Sequence, residues 1–265
     1  MATPLPTPYE LLLARSEPGR PLVTHYGTDG GRIELSAATC ANAVAKAAGL
    51  LRDELGVAPG AAVSVDLPRH WQLPVWVLAA LTVGARCGRA LPEVVDVRVV
   101  GPQALGPAAA GEDLRADEVL ASSCDAFGMP VPGGVPVGVL DVGLAARVHP
   151  DVFAPEPAAA EAAALSVPGG QAIEQLAAEQ PVAGEPASWV PWPVLLDGRA
   201  RLASLAGARL WVDDALADPL LPWATAALPV LVSGSVVLTA GLAEDVAGRL
   251  RAVEGVTHEA AALVR

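Results

Sequence analysis

Apolar residues fall in short runs along the chain, and the period within each run sets the element it predicts. Thr7-Pro8-Tyr9-Glu10 reads as a helix start: Thr7 caps, Pro8 takes the first helical position and Glu10 closes the capping box ahead of Leu11, Leu12 and Leu13. Leu22 to Tyr26 reads as a strand, Thr28-Asp29-Gly30-Gly31 as a turn and Arg32 to Leu35 as a run of alternating polarity, together the pattern of a β-hairpin. Ser36 caps a helix whose stripe is Ala41, Val44, Ala48, Leu51 and Leu55, with Asn42, Lys46 and Asp53 on the other side and Gly56 at its end. Val63, Val65 and Leu67 alternate with Ser64 and Asp66 and predict a strand with one drier face. Trp71 to Val83 is nearly all apolar and too short to cross a bilayer, which predicts a buried helix closed by Gly84.

The middle of the chain is less regular. Val94 to Val100 and Glu118 to Ala121 read as strands and Val137 to Val148 as a helix, while Ala154 to Ala164, with Pro155 and Pro157, reads as a linker, a short helix or both. Order returns with a strand at Ala208 to Val212, a helix at Leu220 to Leu228 and a buried strand at Val236 to Leu238. A last amphipathic stripe follows at Leu242, Val246, Leu250 and Val253. Strands alternating with helices imply an α/β fold with a mostly parallel sheet flanked by helices. One domain over 1–265 is expected, with possible lobes 1–150 and 165–265 joined by a Pro/Ala-rich segment.

Composition changes this picture in three places. Pro219 to Ala243 carries no charge and has the length of a membrane span, but Pro222, Pro229 and Ser233-Gly234-Ser235 divide it into helix, turn and strand. The net charge of −12, with no basic cluster, disfavours nucleic acid and anionic membranes as partners. Arg199, Arg201 and Arg209, the longest basic stretch, read as a solvated helix face. Cys40, Cys87 and Cys124 form no CxxC pair, and His25, His70, His149 and His258 are equally scattered, so neither a disulfide framework nor a metal site is expected. Met1 to Glu10 lacks the pattern of a signal peptide, so a reducing cytoplasm is the expected location.

Two stretches together carry a resemblance. Pro21 to Gly84 contains the "DGG" hairpin followed by "RIELSAATCANAVAKAAGLLRDELGVAPGAAVSVDLPRHWQLPVWVLAALTVGA". It is similar to the opening of acyl-CoA synthetases and amino-acid adenylation domains: a "lTYaEL" hairpin and helix, "LGVxxGDRVAVxLPN", and an apolar helix ending "KAGA". Leu231 to Ala261, "LVSGSVVLTAGLAEDVAGRLRAVEGVTHEAA", resembles the same family's "xxGxxVVLxxxxDPExxLxxIexxxVTxxxxVP". The order of the two agrees, and the chain looks like a small stand-alone homologue of the N-terminal part of AMP-forming adenylating enzymes, of an actinobacterial TIGR03089-like kind.

The resemblance implies a phosphate loop, "(Y/T)(S/T)SGTTGxPKG", in which small residues let backbone N–H groups approach ATP phosphates and a lysine adds charge. Its positional counterpart here is Ala164-Leu165-Ser166-Val167-Pro168-Gly169-Gly170, which keeps Ser166, Pro168, Gly169 and Gly170 but neither the threonine pair nor the lysine. Read without the resemblance, these residues are a turn before a helix starting near Gln171. Lys46 is the chain's only lysine and sits mid-helix ahead of that region. The family's "YGxTE", ribose-binding Asp, hinge and lysine-bearing carboxy-terminal domain are expected to lie beyond Arg265. No catalytic residue, metal or cofactor is therefore expected. Two functions follow: a non-catalytic binding or scaffold protein, or a nucleotide- or acyl-binding subunit completed by another chain.

Other chemistry is fainter. Ser122-Ser123-Cys124-Asp125 follows a predicted strand at the edge where open α/β sheets bind ligands, and reads either as a site or as a polar loop. Asp213-Asp214 and Glu112-Asp113 are adjacent pairs, more in keeping with solvated charge than with an acid–base pair. The tryptophans 71, 76, 189, 192, 211 and 223 read as core, with Trp189 and Trp192, among prolines, the two placed to line a groove. The stripe ending at Val253 needs a cover, and so a homodimer or a docked protein partner is expected.

Overall fold

The computed structural model describes residues 4–28, 30–105, 114–168 and 187–263. Its framework is two sheets with helices packed between them. The five-stranded sheet contains β1 (Pro21–Tyr26), β2 (Arg32–Ser36), β10 (Arg209–Val212), β11 (Ser235–Leu238) and β12 (His258–Glu259), in the order β12-β10-β11-β1-β2. The seven-stranded sheet contains β3 (Ala62–Asp66), β4 (Arg86–Gly88), β5 (Val95–Val100), β6 (Ala116–Ala121), β7 (Val139–Asp141), β8 (Ala164–Pro168) and β9 (Ala187–Pro191), ordered β7-β6-β5-β3-β4-β8-β9. Among the described residues, only β1 with β2 and β8 with β9 pair antiparallel.

Local chemistry sets the element starts. Helix α1 (Pro8–Leu13) has the full capping box: Thr7 Oγ1 accepts from the Glu10 amide and the Glu10 carboxylate accepts from the Thr7 amide. Helix α2 (Ala37–Gly49) is capped by Ser36, whose Oγ accepts from the Thr39 amide at 3.1 Å, and it runs on through Leu50–Glu54. Ala41, Val44, Ala48 and Leu51 are buried as the spacing predicts, and Leu55 is half-buried.

Helix α3 (Gln72–Thr82) is buried at every position. It packs on β3 and β4 on one side and, on the other, on α2 and the widened helical turns Trp223–Ala227. Those two in turn cover β1, β2, β10 and β11, so α3 lies between the sheets. Nine of its eleven residues are apolar, and burial between two layers removes that surface from water on every side. Strand β3 shares this environment: Ser64 is as inaccessible as Val63 and Val65, and of the expected wetter face only Asp66, at the strand's end, keeps partial exposure.

The structure departs from the sequence reading in several places. The expected α/β architecture of mostly parallel strands flanked by helices forms, with its strands divided between two sheets. Val137 to Val148 is not one helix. Gly138 turns with φ of 85°, Val139–Asp141 joins the sheet beside β6, and Asp141 accepts from the Gly143 amide at 2.8 Å, capping only the four-residue α4 (Val142–Ala145). Ala154 to Ala164 contains the short α5 (Ala159–Ala162). After α6 (Trp192–Asp197) and α7 (Leu228–Leu231), helix α8 (Glu244–Val253) lies on the outer face of the five-stranded sheet. Ala247 is its buried contact, against Trp211 and Val237, with Leu242 and Leu250 partly covered and Val253 79% exposed. The stripe is thus only partly covered by the chain's own sheet, with Leu242, Val246 and Leu250 half-buried and Val253 open. Arg209 is not on a helix face: it opens β10 and its side chain is largely buried. No helix among the described residues is long and apolar enough to cross a membrane.

Gly84 ends α3 with φ of 86°, and a β-carbon there would stand 2.9 Å from Ala159 Cα and 3.0 Å from its carbonyl oxygen. Gly84→Ala should therefore cost about 1–3 kcal/mol through backbone strain and overpacking. Urea denaturation measures it, and an unchanged midpoint would mean that α3 does not terminate in this way.

Candidate functional site

In open α/β sheets ligands collect where parallel strands end, and here the carboxyl ends of both sheets face one another. From β1 comes His25, from β10 Asp213, and from the segment after β3 come Arg69 and His70. The rings of His25 and His70 meet edge-on with centroids 4.7 Å apart. Asp218, in the turn Asp218–Leu220, lies 2.8 Å from Arg69 Nη1 and 3.4 Å from Arg89 Nη2, and that turn packs against β8.

The cations at this edge are already engaged. Arg69 donates to the carbonyl oxygens of Asp213 (3.1 Å) and Leu216 (2.6 Å), besides its ion pair with Asp218. Arg89 donates to the Leu67 carbonyl. Arg98 pairs with Asp66 at 2.6 Å and donates to the Leu91 carbonyl, while Asp66 also accepts from Ser64 and the Ala90 amide. Each guanidinium is thus a strut between strand ends, fixed by carbonyls that it satisfies.

Ser122-Ser123-Cys124-Asp125 is present at the end of β6 and is likewise committed. Ser122 Oγ donates to Gln72 Oε1 at 2.6 Å and accepts from the Cys124 amide, and Ser123 Oγ donates to the Met129 carbonyl. The Asp125 carboxylate accepts from the Phe127 and Met129 amides, which lowers its pKa. Burial pushes the Cys124 thiol up to about 11, so it stays protonated and is a poor nucleophile. The polar-loop reading is the one the geometry supports. Asp213 accepts from Trp211 Nε1 and Asp214 from the Gly241 amide, so these two carboxylates serve different partners. Glu112-Asp113 lies outside the described residues. Trp192 is buried and donates to the Pro6 carbonyl, which makes it core, while Trp189 is half-buried beneath Arg86 at 5.0 Å.

Ser166 is buried on β8 opposite Trp189, and a β-carbon at Gly88 would stand 2.7 Å from its own, so β4 and β8 approach closely there. Pro168 ends the strand against Ala187. Gly169, Gly170 and the expected helix start near Gln171 lie outside the described residues. Lys46 Nζ donates to the His149 carbonyl at 2.9 Å and pairs with Asp151 at 3.0 Å. Among the described residues no group of three or more His, Cys, Asp or Glu is placed to hold a metal ion. The sequence scattered the histidines. The structure brings His25 and His70 together across the two sheets, and nothing in their spacing signals that.

The sequence matches no family model. A TIGR03089 family protein of Mycobacterium tuberculosis (strain ATCC 25618 / H37Rv) is 35% identical over 221 residues, a match covering 78% of this chain and 88% of that protein. Among solved structures, Brucella canis acyl-CoA synthetase superposes with a TM-score of 0.70 at 15% identity, over 97% of this chain and 47% of its own. Acetoacetyl-CoA synthetase from Streptomyces lividans gives 0.70 at 19%, over 97% and 43%. Mycobacterium smegmatis MbtA in its apo form gives 0.63 at 19%, over 97% and 51%. The chain spans about half the length of these structures, and at such identities the likeness is one of fold.

Burial, and then the neighbouring His25, lower the His70 pKa from 6.5 to about 3. The unfolded chain therefore takes up this proton near pH 6.5 while the folded one refuses it, so His70 makes stability fall as pH drops below that value. Burial pushes Glu254 up, but hydrogen bonds from Arg32, Tyr26 and Arg209 outweigh it and hold this carboxyl at about 2, so its contribution is lost only below its ordinary 4.5. The urea midpoint should be lower at about pH 5 than at about pH 7, with a slope of at most about 1.4 kcal/mol per pH unit from His70. His70→Asn should flatten that window. An unchanged slope in the variant would place the titration elsewhere.

Proposed function

The chain belongs to the TIGR03089 family, and from that premise we propose that it is a non-catalytic binding or scaffold protein, a pseudoenzyme on the adenylating-enzyme fold, working in the reducing cytoplasm. One observation carries the reading. The only lysine, Lys46, is held between the His149 carbonyl and Asp151, and so is committed away from β8, the counterpart of the resembled phosphate loop. Adenylation joins a carboxylate to an α-phosphate, two anions whose approach needs fixed positive charge in place before the reaction. At the strand ends Arg69, Arg89 and Arg98 are spent on Asp66, Asp218 and backbone carbonyls, and releasing them would leave those acceptors unpaired. Three free thiols, two of them fully buried, fit a reducing compartment.

Carboxylate-dependent ATP–pyrophosphate exchange should stay at the no-protein background across a broad panel of acids. Exchange above background that disappears when the acid is left out would overturn the proposal and favour an active subunit.

A further inference from the structure

A cavity of about 860 Å³ opens at the opposite edge of the molecule, where β1, β10 and β11 begin. That is within the range of small-molecule sites, ~300–1,000 Å³. The end of α1 forms one wall, Ser233-Gly234-Ser235 another, and Val253 to Thr257 a third. From its contents we infer that this cavity binds a small oxyanion, a carboxylate or a phosphate monoester. The inference goes beyond the proposed function, because it concerns other residues and stands whether or not the opposite edge is catalytic.

Four arginines and three glutamates line the cavity, in a protein whose net charge is −12. The glutamates have cationic partners. Glu254 takes Arg209, Arg32 and the Tyr26 hydroxyl, Glu34 takes Arg32, and Glu17 takes Arg20. Arg15 and Arg199 remain with no carboxylate partner among the described residues. Both are aimed by carbonyls at one helix end: Arg15 Nη2 donates to Pro229 (3.1 Å) and Gly234 (2.5 Å), and Arg199 Nε donates to Leu231 (3.1 Å). A guanidinium presents five N–H donors in a fixed fork, and these bonds use one nitrogen of each. Among the described residues the others make no hydrogen bond, while both side chains line the cavity. Burial lowers the Arg15 pKa, the mark of a cation desolvated without a full counter-charge. An oxyanion spanning Arg15 and Arg199 supplies that charge with bidentate geometry.

The wall beside them is built under constraint. Ser233 holds φ of 52°, a left-handed conformation that costs a non-glycine residue energy, and a β-carbon at Gly234 would run into the Ala208 carbonyl. This tight turn puts Ser233 in the cavity wall, next to the Leu231 and Gly234 carbonyls that the two arginines engage. A shallower groove of about 380 Å³ adjoins it through Arg199 and Ser233, lined by Leu202, Ala203, Leu231 and Val232. It gives an organic anion room for an apolar substituent.

The test is a calorimetric titration of the full chain with sodium phosphate and, separately, with sodium butyrate at constant ionic strength, using sodium chloride as the blank. Saturable binding of at least one is expected. Tighter binding of phosphate would assign the phosphate source, and tighter binding of butyrate the carboxylate. Arg15→Met and Arg199→Met should each weaken binding about tenfold or more, as loss of a charge-assisted bond implies. Arg201→Met, on the same short helical segment but outside the cavity, should leave it unchanged. Should Arg15→Met fail to fold, Arg199→Met decides, since Arg199 is exposed and makes one backbone bond. No saturable binding of either anion, or equal binding by wild type and Arg199→Met, would overturn the inference.

Discussion

Helix α3 has no side that can be turned to water, and that constraint organises the molecule. Its eleven residues, Gln72 to Thr82, are all buried, so something must cover every face. The chain meets this by placing one sheet on one side and, on the other, α2 with Trp223–Ala227, which carry the second sheet. Leu73, Leu78 and Leu81 therefore pack in one continuous core with Val23 and Val236 of the five-stranded sheet and Val63 and Val97 of the seven-stranded one. With both sheets held against one helical layer, their strand ends come into register with each other. Arg69 reaching from the end of β3 to carbonyls beyond β10 is a consequence of that shared layer.

Elements decided by their own residues were legible in the sequence. Thr7 with Glu10, Ser36, the turn through Gly30 and the stop at Gly84 act within a few residues, and each is found where its chemistry puts it. What could not be read was decided by distant pairing. Periodicity at Val137 to Val148 suits a helix, but Val139 to Asp141 find a free edge beside β6, and Asp141 ends any longer helix by capping a short one. Strands β4 and β12 are three and two residues long, too short for a period to register. The division into two sheets depends on strands from both ends of the chain meeting, as β1 does with β11.

The site shows the same division. Ser122 to Asp125 was legible as the end of a strand, but its commitment to Gln72 and Met129 depends on partners that no spacing reveals. Arg209 looked like surface charge and is instead a buried partner of Glu254, 45 residues away. The result is a molecule with two unlike edges. Where the strands end, positive charge is absorbed by Asp66, Asp218 and backbone carbonyls. Where β1, β10 and β11 begin, Arg15 and Arg199 keep donors that no described residue engages, beside a large cavity. Evolution of a fold can preserve its layers, which rest on burial, while the chemistry of an edge changes, since that rests on a few polar side chains.

Everything above depends on α3 joining the two sheets into one cooperative unit, and native-state hydrogen exchange tests that directly. Val23 and Val236 report on one sheet and Val63 and Val97 on the other, and Leu78→Ala perturbs the helix between them. The slowest amides of both sheets should exchange at the same free energy, and the substitution should lower both equally, by about 2–5 kcal/mol. Loss of protection confined to the seven-stranded sheet, with the five-stranded sheet unaffected, would contradict the account.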